Sequence, residues 1–211
     1  MGYKKLKIAI LSTDTLHHRY FINSAISSKI GIKKIIFEKT SIKSKFKDID
    51  FYRKEENNYE KKNFFKNFSS KLNKDKIKYF TNINSNKSLK FFSKKKFDLG
   101  IVFGTRKINL DLINTFKLGL INIHRGIIHK YRGLESDLWA IYFKDFDNIG
   151  TSIHFIDKNL DTGPVLKVKK FKIKKNMKIF HLRYYTTIIA TKMVIDILKQ
   201  KSFFLKKALK Q

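Results

Sequence analysis

The stretch Phe97–His124, FDLGIVFGTRKINLDLINTFKLGLINIH, decides the fold. Phe97–Phe103 is of strand length and apolar apart from Asp98, as expected of a buried strand. Leu110–Phe116 spaces its apolar residues as a helix does and stops near Gly119. Leu120–His124 is a second apolar strand. The same order stands at the start of the chain. Leu6–Leu11 (LKIAIL) ends at the turn and cap signal Ser12-Thr13-Asp14, and His17–Lys29 is helical through Tyr20, Ile22, Ala25 and Ile26. Ile32–Phe37 (IKKIIF) is then a strand, so the opening reads as parallel strands joined by a right-handed crossover.

Working outward, Ile77–Phe80 reads as a short strand, Asn86–Ser93 as a helix and Thr151–Ile156 as a strand. Pro164–Ile173 is a strand or hairpin partner. Asn176 suits the cap of a last helix that carries Leu182, Tyr185, Ile189, Met193 and Ile197 on one face. That stripe serves either the core or a homodimer interface. Strands alternating with helices predict an α/β fold, an open, mostly parallel twisted sheet with helices on both faces. The expected organisation is one domain over residues 1–175, with a helical segment 176–211 packed on it. Residues 40–76 form a lysine-rich insertion, read as one or two loose surface helices of solvated charge. Trp139, within Leu134–Phe143 (LESDLWAIYF), is expected in the core.

The chain has 211 residues, 42% hydrophobic, and a formal net charge of +30. Such a charge points to a polyanionic partner, and a basic nucleic-acid-binding module is one reading. The excess is nearly all Lys, in company with many Ile, Asn, Phe and Tyr residues, which share AT-rich codons; the charge then reflects composition. With no Cys, disulfides and thiolate metal sites are excluded. No uncharged run reaches the ~18 residues of a membrane span, and the N-terminal apolar run is too interrupted for a signal peptide, so a cytoplasmic protein is expected.

Two segments place polar groups where open α/β sheets bind ligands, beyond the carboxyl ends of strands. In Ile121-Asn122-Ile123-His124, Asn122 and His124 share a face. A carboxamide beside an imidazole can hold a carbonyl oxygen and move protons, although a lone Asn-x-His is more often a structural pair. In Leu160-Asp161-Thr162-Gly163-Pro164, Asp161 is either a turn residue or a carboxylate brought to His124. Such a carboxylate would raise the imidazole pKa and fix its orientation. The intervening RGIIHKYRG loop offers Arg125, Lys130 and Arg132 to a phosphate or carboxylate, or simply to solvent. No recognised ligand spacing supports a metal at His124, His154 and Asp161.

The order and spacing of Asn122, His124, Gly133, Asp161 and Gly163 resemble the signature of the formyltransferases that use 10-formyl-tetrahydrofolate. That family includes glycinamide ribonucleotide, methionyl-tRNA and nucleotide-sugar formyltransferases. The resemblance covers residues 97–166 closely. It implies a Rossmann-like formyltransferase fold with Asn122, His124 and Asp161 as catalytic residues. It implies a pterin against Phe103, Gly104, Thr105 and Arg106 and against the Asp157–Asp161 loop, which includes Leu160. The loop reads Gly126-Ile127-Ile128-His129 where the family often has Ser-Leu-Leu-Pro. Ser12-Thr13-Asp14 replaces the Gly-Ser-Asn of the glycinamide ribonucleotide enzymes, and the stretch after Pro164 is too short for the tRNA enzymes' barrel domain. YRGLESDLWAIY, read with HHRYFINSAI, resembles minimal sugar N-formyltransferases of surface polysaccharide synthesis. The implied acceptor is the amine of a small molecule, a nucleotide-linked amino sugar, with another small amine as the alternative; no metal and no membrane partner are implied.

Overall fold

The apolar runs become strands in the computed structural model, which describes residues 6–39, 51–66, 69 and 71–200. They are β1 (Ile8–Ser12), β2 (Ile32–Glu38), β3 (Ile77–Phe80), β4 (Leu99–Phe103), β5 (Leu120–His124), β6 (Gly150–Phe155) and β7 (Val165–Lys170). One sheet holds them in the order β3-β2-β1-β4-β5-β6-β7. The first five are parallel, while β6 runs antiparallel to β5 and β7 antiparallel to β6. The helices are α1 (Leu16–Ser27), α2 (Arg53–Phe64), α3 (Asn86–Lys95), α4 (Leu110–Ile113), α5 (Ser136–Tyr142) and α6 (Leu182–Lys199).

Strand alternation divides the core into two layers. Ile8, Ile10, Leu99, Ile101, Ile121 and Ile123 pack with Phe21 and Ala25 of α1 and with Ala190, Met193 and Val194 of α6. Ala9, Leu11, Val102 and Leu120 face the other way, onto Phe92 of α3 and Leu112 of α4. A side chain at Gly100 would run into Leu120 and Phe116, so the missing Cβ is what lets β4 and the α4 layer close together. The strand order reverses between β1 and β4, which opens a crevice at their carboxyl ends.

Four expectations change. The helix at Leu110 is a single turn, Leu110–Ile113, and tight turns carry the chain from there to Gly119 at φ 79. The last helix starts at Leu182 and not after Asn176, which sits in a left-handed turn at φ 64. Its apolar stripe packs against the sheet and α1, with Leu182, Met193 and Ile197 buried. Trp139 is 50% exposed, not core. Ser136, Asp137 and Ala140 take the inner face of α5, since Asp137 pairs with Arg125. The described part of the lysine-rich stretch is not loose solvated charge: α2 docks on α1 and α6 with Glu56 and Glu60 buried. Residues 40–50 lie outside the described residues. Among the described residues no helix is long and apolar enough to cross a membrane.

Candidate active site

Three elements bring four polar side chains to one place. β5 sends Asn122 and His124 away from the layer that takes Ile121 and Ile123, as its alternation requires. β6 pairs with β5 in a register that sets His154 opposite Asn122. Asp161 comes from the loop between β6 and β7, at φ 51, a left-handed conformation that Asp tolerates better than most residues.

Asp161 Oδ2 lies 3.5 Å from His124 Nδ1 and accepts the Gly133 N–H at 2.9 Å. Its Oδ1 lies 3.5 Å from His154 Nε2 and 3.4 Å from Asn122 Nδ2. Asn122 Nδ2 is 3.1 Å from His154 Nε2. The Asx-turn role belongs to Asp157, which accepts from Asn159 N–H and the Thr162 hydroxyl; Asp161 turns to the cluster instead.

Two backbone carbonyls set the imidazole tautomers, because a carbonyl can only accept. His124 Nε2–H donates to Tyr131 O at 2.8 Å, and His154 Nδ1–H donates to Phe155 O at 2.8 Å. In the neutral rings His124 Nδ1 and His154 Nε2 therefore carry lone pairs, and both face Asp161. The amide of Asn122 satisfies His154. That leaves His124 Nδ1 and the Asp161 carboxylate as facing acceptors with room for one shared proton.

Burial pushes the His124 imidazole below its ordinary pKa; Asp161 and the Tyr131 carbonyl oppose the fall, while His154 and Arg125 add to it. The expectation of a more basic imidazole is thus corrected: the carboxylate does push upward, but desolvation outweighs it. Burial pushes the Asp161 carboxyl up, yet the His154 ring when it carries a proton, the Gly133 N–H and a protonated His124 together hold it below the usual carboxylate range.

The remaining expected site residues divide. Phe103 has its ring buried against His18 and Phe21, and its carbonyl accepts the Ser12 hydroxyl at 2.8 Å. Gly104 lies at the surface at φ 76, directly over the His18 ring, where any side chain would collide. Thr105 and Arg106 are half-buried, with Arg106 Nε on Glu38 Oε1 at 2.6 Å. Asp157 stands at the base of its loop, and Leu160 is 52% exposed at the tip. Lys130 and Arg132 are exposed. Arg125 is half-buried, and its guanidinium is already engaged between Glu135 at 3.2 Å and Asp137 at 3.3 Å. His154, considered from sequence only as a metal ligand and set aside there, is a member of the cluster. Its signal was present, since Ser152 and His154 share one face of a strand whose neighbours Ile153 and Phe155 are apolar.

The sequence profile described as formyl transferase matches residues 7–195. The bifunctional polymyxin resistance protein ArnA of Wigglesworthia glossinidia brevipalpis is 32% identical over 167 residues, covering 76% of this chain and 25% of that protein. The chain spans only about a quarter of the length of the curated relatives it matches, at 25% and 22% for the first two. Among solved structures, phosphoribosylglycinamide formyltransferase from Bacillus halodurans superposes with a TM-score of 0.65 at 14% identity, over 92% of this chain and 94% of the other. A 4-N formyltransferase from Francisella tularensis gives 0.60 at 21% identity, over 94% and 72%. These two likenesses establish the shared fold. The profile match, spread over nearly the whole chain, makes this protein a member of the formyl transferase family of enzymes.

Proposed function

We propose that the chain transfers a formyl group from 10-formyl-tetrahydrofolate to the amine of an amino sugar, carried as its nucleotide. The observation that carries this reading is the meeting of Asn122 and His124 at one carboxylate, with Asp161 3.4 Å from the Asn122 amide and 3.5 Å from the His124 ring. The surroundings of the cluster suit a formyl-folate in what they offer. Leu160 presents an apolar edge in the open, and the missing side chain of Gly133 points into free space beside Asp161. The likeness to a sugar N-formyltransferase from Shewanella at a TM-score of 0.62 supports a sugar-linked acceptor. The excess of Lys suits a diphosphate-linked acceptor.

Bound 10-formyl-tetrahydrofolate supplies an activated formyl carbon. His124 Nδ1 and Asp161 Oδ2 accept one proton as the acceptor amine forms its new C–N bond. They return that proton to the folate nitrogen as its bond to the formyl carbon breaks, so the pair ends each turnover as it began. Asn122 keeps an amide N–H, held only by the long 3.4 Å contact to Asp161, that can swing to the formyl oxygen as charge builds there. Gly133 N–H and Tyr131 O keep the carboxylate and the imidazole in register.

Asn122→Ala and His124→Ala are expected to stay folded and to lose about 10²-fold or more in kcat. The assay is tetrahydrofolate release with a panel of amino-sugar nucleotides. Wild-type turnover in both variants would remove the trio from the mechanism.

A further inference from the structure

A line of ion pairs outside the reacting cluster runs from α6 through α2 to the segment after His124. Arg183 places Nε on Glu60 Oε1 at 2.7 Å and Nη2 on Glu60 Oε2 at 2.9 Å and Asn57 Oδ1 at 3.0 Å. Its Nη1 meets Glu56 Oε2 at 2.8 Å, and Arg53 Nη1 donates to the same oxygen at 2.8 Å. Arg53 Nη2 lies 3.7 Å from Glu135 Oε1. The other oxygen of Glu135 accepts from Arg125 Nη2 at 3.2 Å, and Arg125 Nη1 donates to Asp137 Oδ2 at 3.3 Å.

The line ends where the site needs it. Arg125 directly follows His124, and the chain between Arg125 and Glu135 supplies both backbone groups that hold the reacting side chains: Tyr131 O for His124 and Gly133 N–H for Asp161. Asp137 N–H closes the segment onto Arg125 O at 3.1 Å. Glu135 itself stands at φ 53, a left-handed backbone that an L residue with a long side chain keeps only when its surroundings hold it there. Two guanidiniums, one from each side, provide that hold.

We propose that Glu135 and Arg53 are positioning residues: through their ion pair α2 holds the Arg125–Asp137 segment so that Tyr131 O and Gly133 N–H set the geometry of His124 and Asp161. The inference rests on the reading of Asn122, His124 and Asp161 as the reacting trio. It gives the lysine-rich stretch a role in the site, although α2 touches none of the reacting atoms.

The test is an NMR titration of the His124 imidazole in the whole chain, beside kcat and thermal midpoints. Asp161, His154, Arg125 and the Tyr131 carbonyl face this ring, and burial is the largest influence on it. Glu135→Gln is expected to loosen the segment, hydrate the ring and move its titration upward. Losing a negative charge alone would move it downward, so the two causes carry opposite signs. Arg53→Gln should shift it in the same upward direction and should add nothing in the Glu135→Gln background, because one tether cannot be cut twice, whereas field effects would add. The kcat of Glu135→Gln should fall about tenfold, since a small misplacement of reacting groups is costly. Lys54→Gln, an exposed neighbour on α2, should change neither quantity. An unmoved His124 titration in both single variants, or additive shifts in the double variant, would overturn the proposal. The titration needs no substrate, so its outcome is separate from that of the formyl-transfer assay: an inactive unaltered chain would count against the trio and not against the tether.

Discussion

At the scale of single residues, the histidines carry most of what pH can do to this protein. His17 and His18 open α1 with their rings 4.0 Å apart, buried against Phe103. Burial pushes His18 from 6.5 down to about 3, against the opposing pull of the Thr13 carbonyl, and burial pushes His17 well below its ordinary value. The unfolded chain therefore binds these protons first as pH falls, and the native state is destabilised by acid. The contribution is absent above pH 6.5 and grows between 6.5 and 3. His18 alone should remove about 1.4 kcal/mol of unfolding free energy per pH unit in that window. Urea unfolding between pH 7 and pH 5 checks this, with His18→Asn expected to be less stable at neutral pH yet to show a shallower pH slope; an unchanged slope would refute a neutral, buried His18. These roles had no local signature. His17-His18 reads as two polar residues near a helix start, and only the approach of Gly104 and Phe103 over the rings takes them out of water.

The same limit explains what was legible at the active site. Asn122 and His124 were readable as a pair because a strand has period two, whatever the fold does later. Asp161 was placed beside them by the family resemblance and by no local period, and setting His154 there required the antiparallel register of β5 and β6. Arg125 reads in sequence as one more basic loop residue; its acidic partners lie ten and twelve positions on, at a spacing that no local period connects.

At the scale of elements, α2 shows how a strongly charged sequence can be docked rather than solvated. RKEENNYEKKNF has no apolar stripe to signal burial. Its Glu56 and Glu60 are buried with charged partners: Arg183 of α6 meets both oxygens of Glu60 and, together with Arg53, one oxygen of Glu56. A buried charge left without its partner is far more costly than the pair is favourable. Arg183→Ala should accordingly lower stability by about 3–5 kcal/mol, measured by chemical denaturation. Asp14→Ala, which breaks the exposed Arg19–Asp14 pair at 2.6 Å, should cost under about 1 kcal/mol. Equal costs would show that burial does not govern these pairs. α5 makes the complementary point: its Ser136 and Asp137 face inward while Trp139 faces out, because an ion pair to Arg125 claims the inner face.

For the whole molecule the dominant electrostatic quantity is the formal net charge of +30. Self-repulsion of that size opposes the compact state and is screened by salt. Raising ionic strength from about 0.01 M to about 0.1 M shortens the Debye length from about 30 Å to about 10 Å. The thermal midpoint should rise across that range by scanning calorimetry; a fall would show that attractive ion pairs outweigh the repulsion. The core itself is indifferent to salt, being two apolar layers on either side of one sheet.

The sequence by itself determined the sheet, the alternation of strands and helices, and the common face of Asn122 and His124. Each of these follows from short-range periodicity, since a strand or helix buries side chains at a repeat that its own residues display. Asp161 was expected beside Asn122 and His124 only through the family resemblance; tertiary structure alone decided that His154 joins them, that His124 is less basic than a carboxylate neighbour suggests, and that Glu56, Glu60 and Arg183 are buried. Those outcomes depend on desolvation and on partners distant along the chain, and neither quantity exists until the chain has closed on itself.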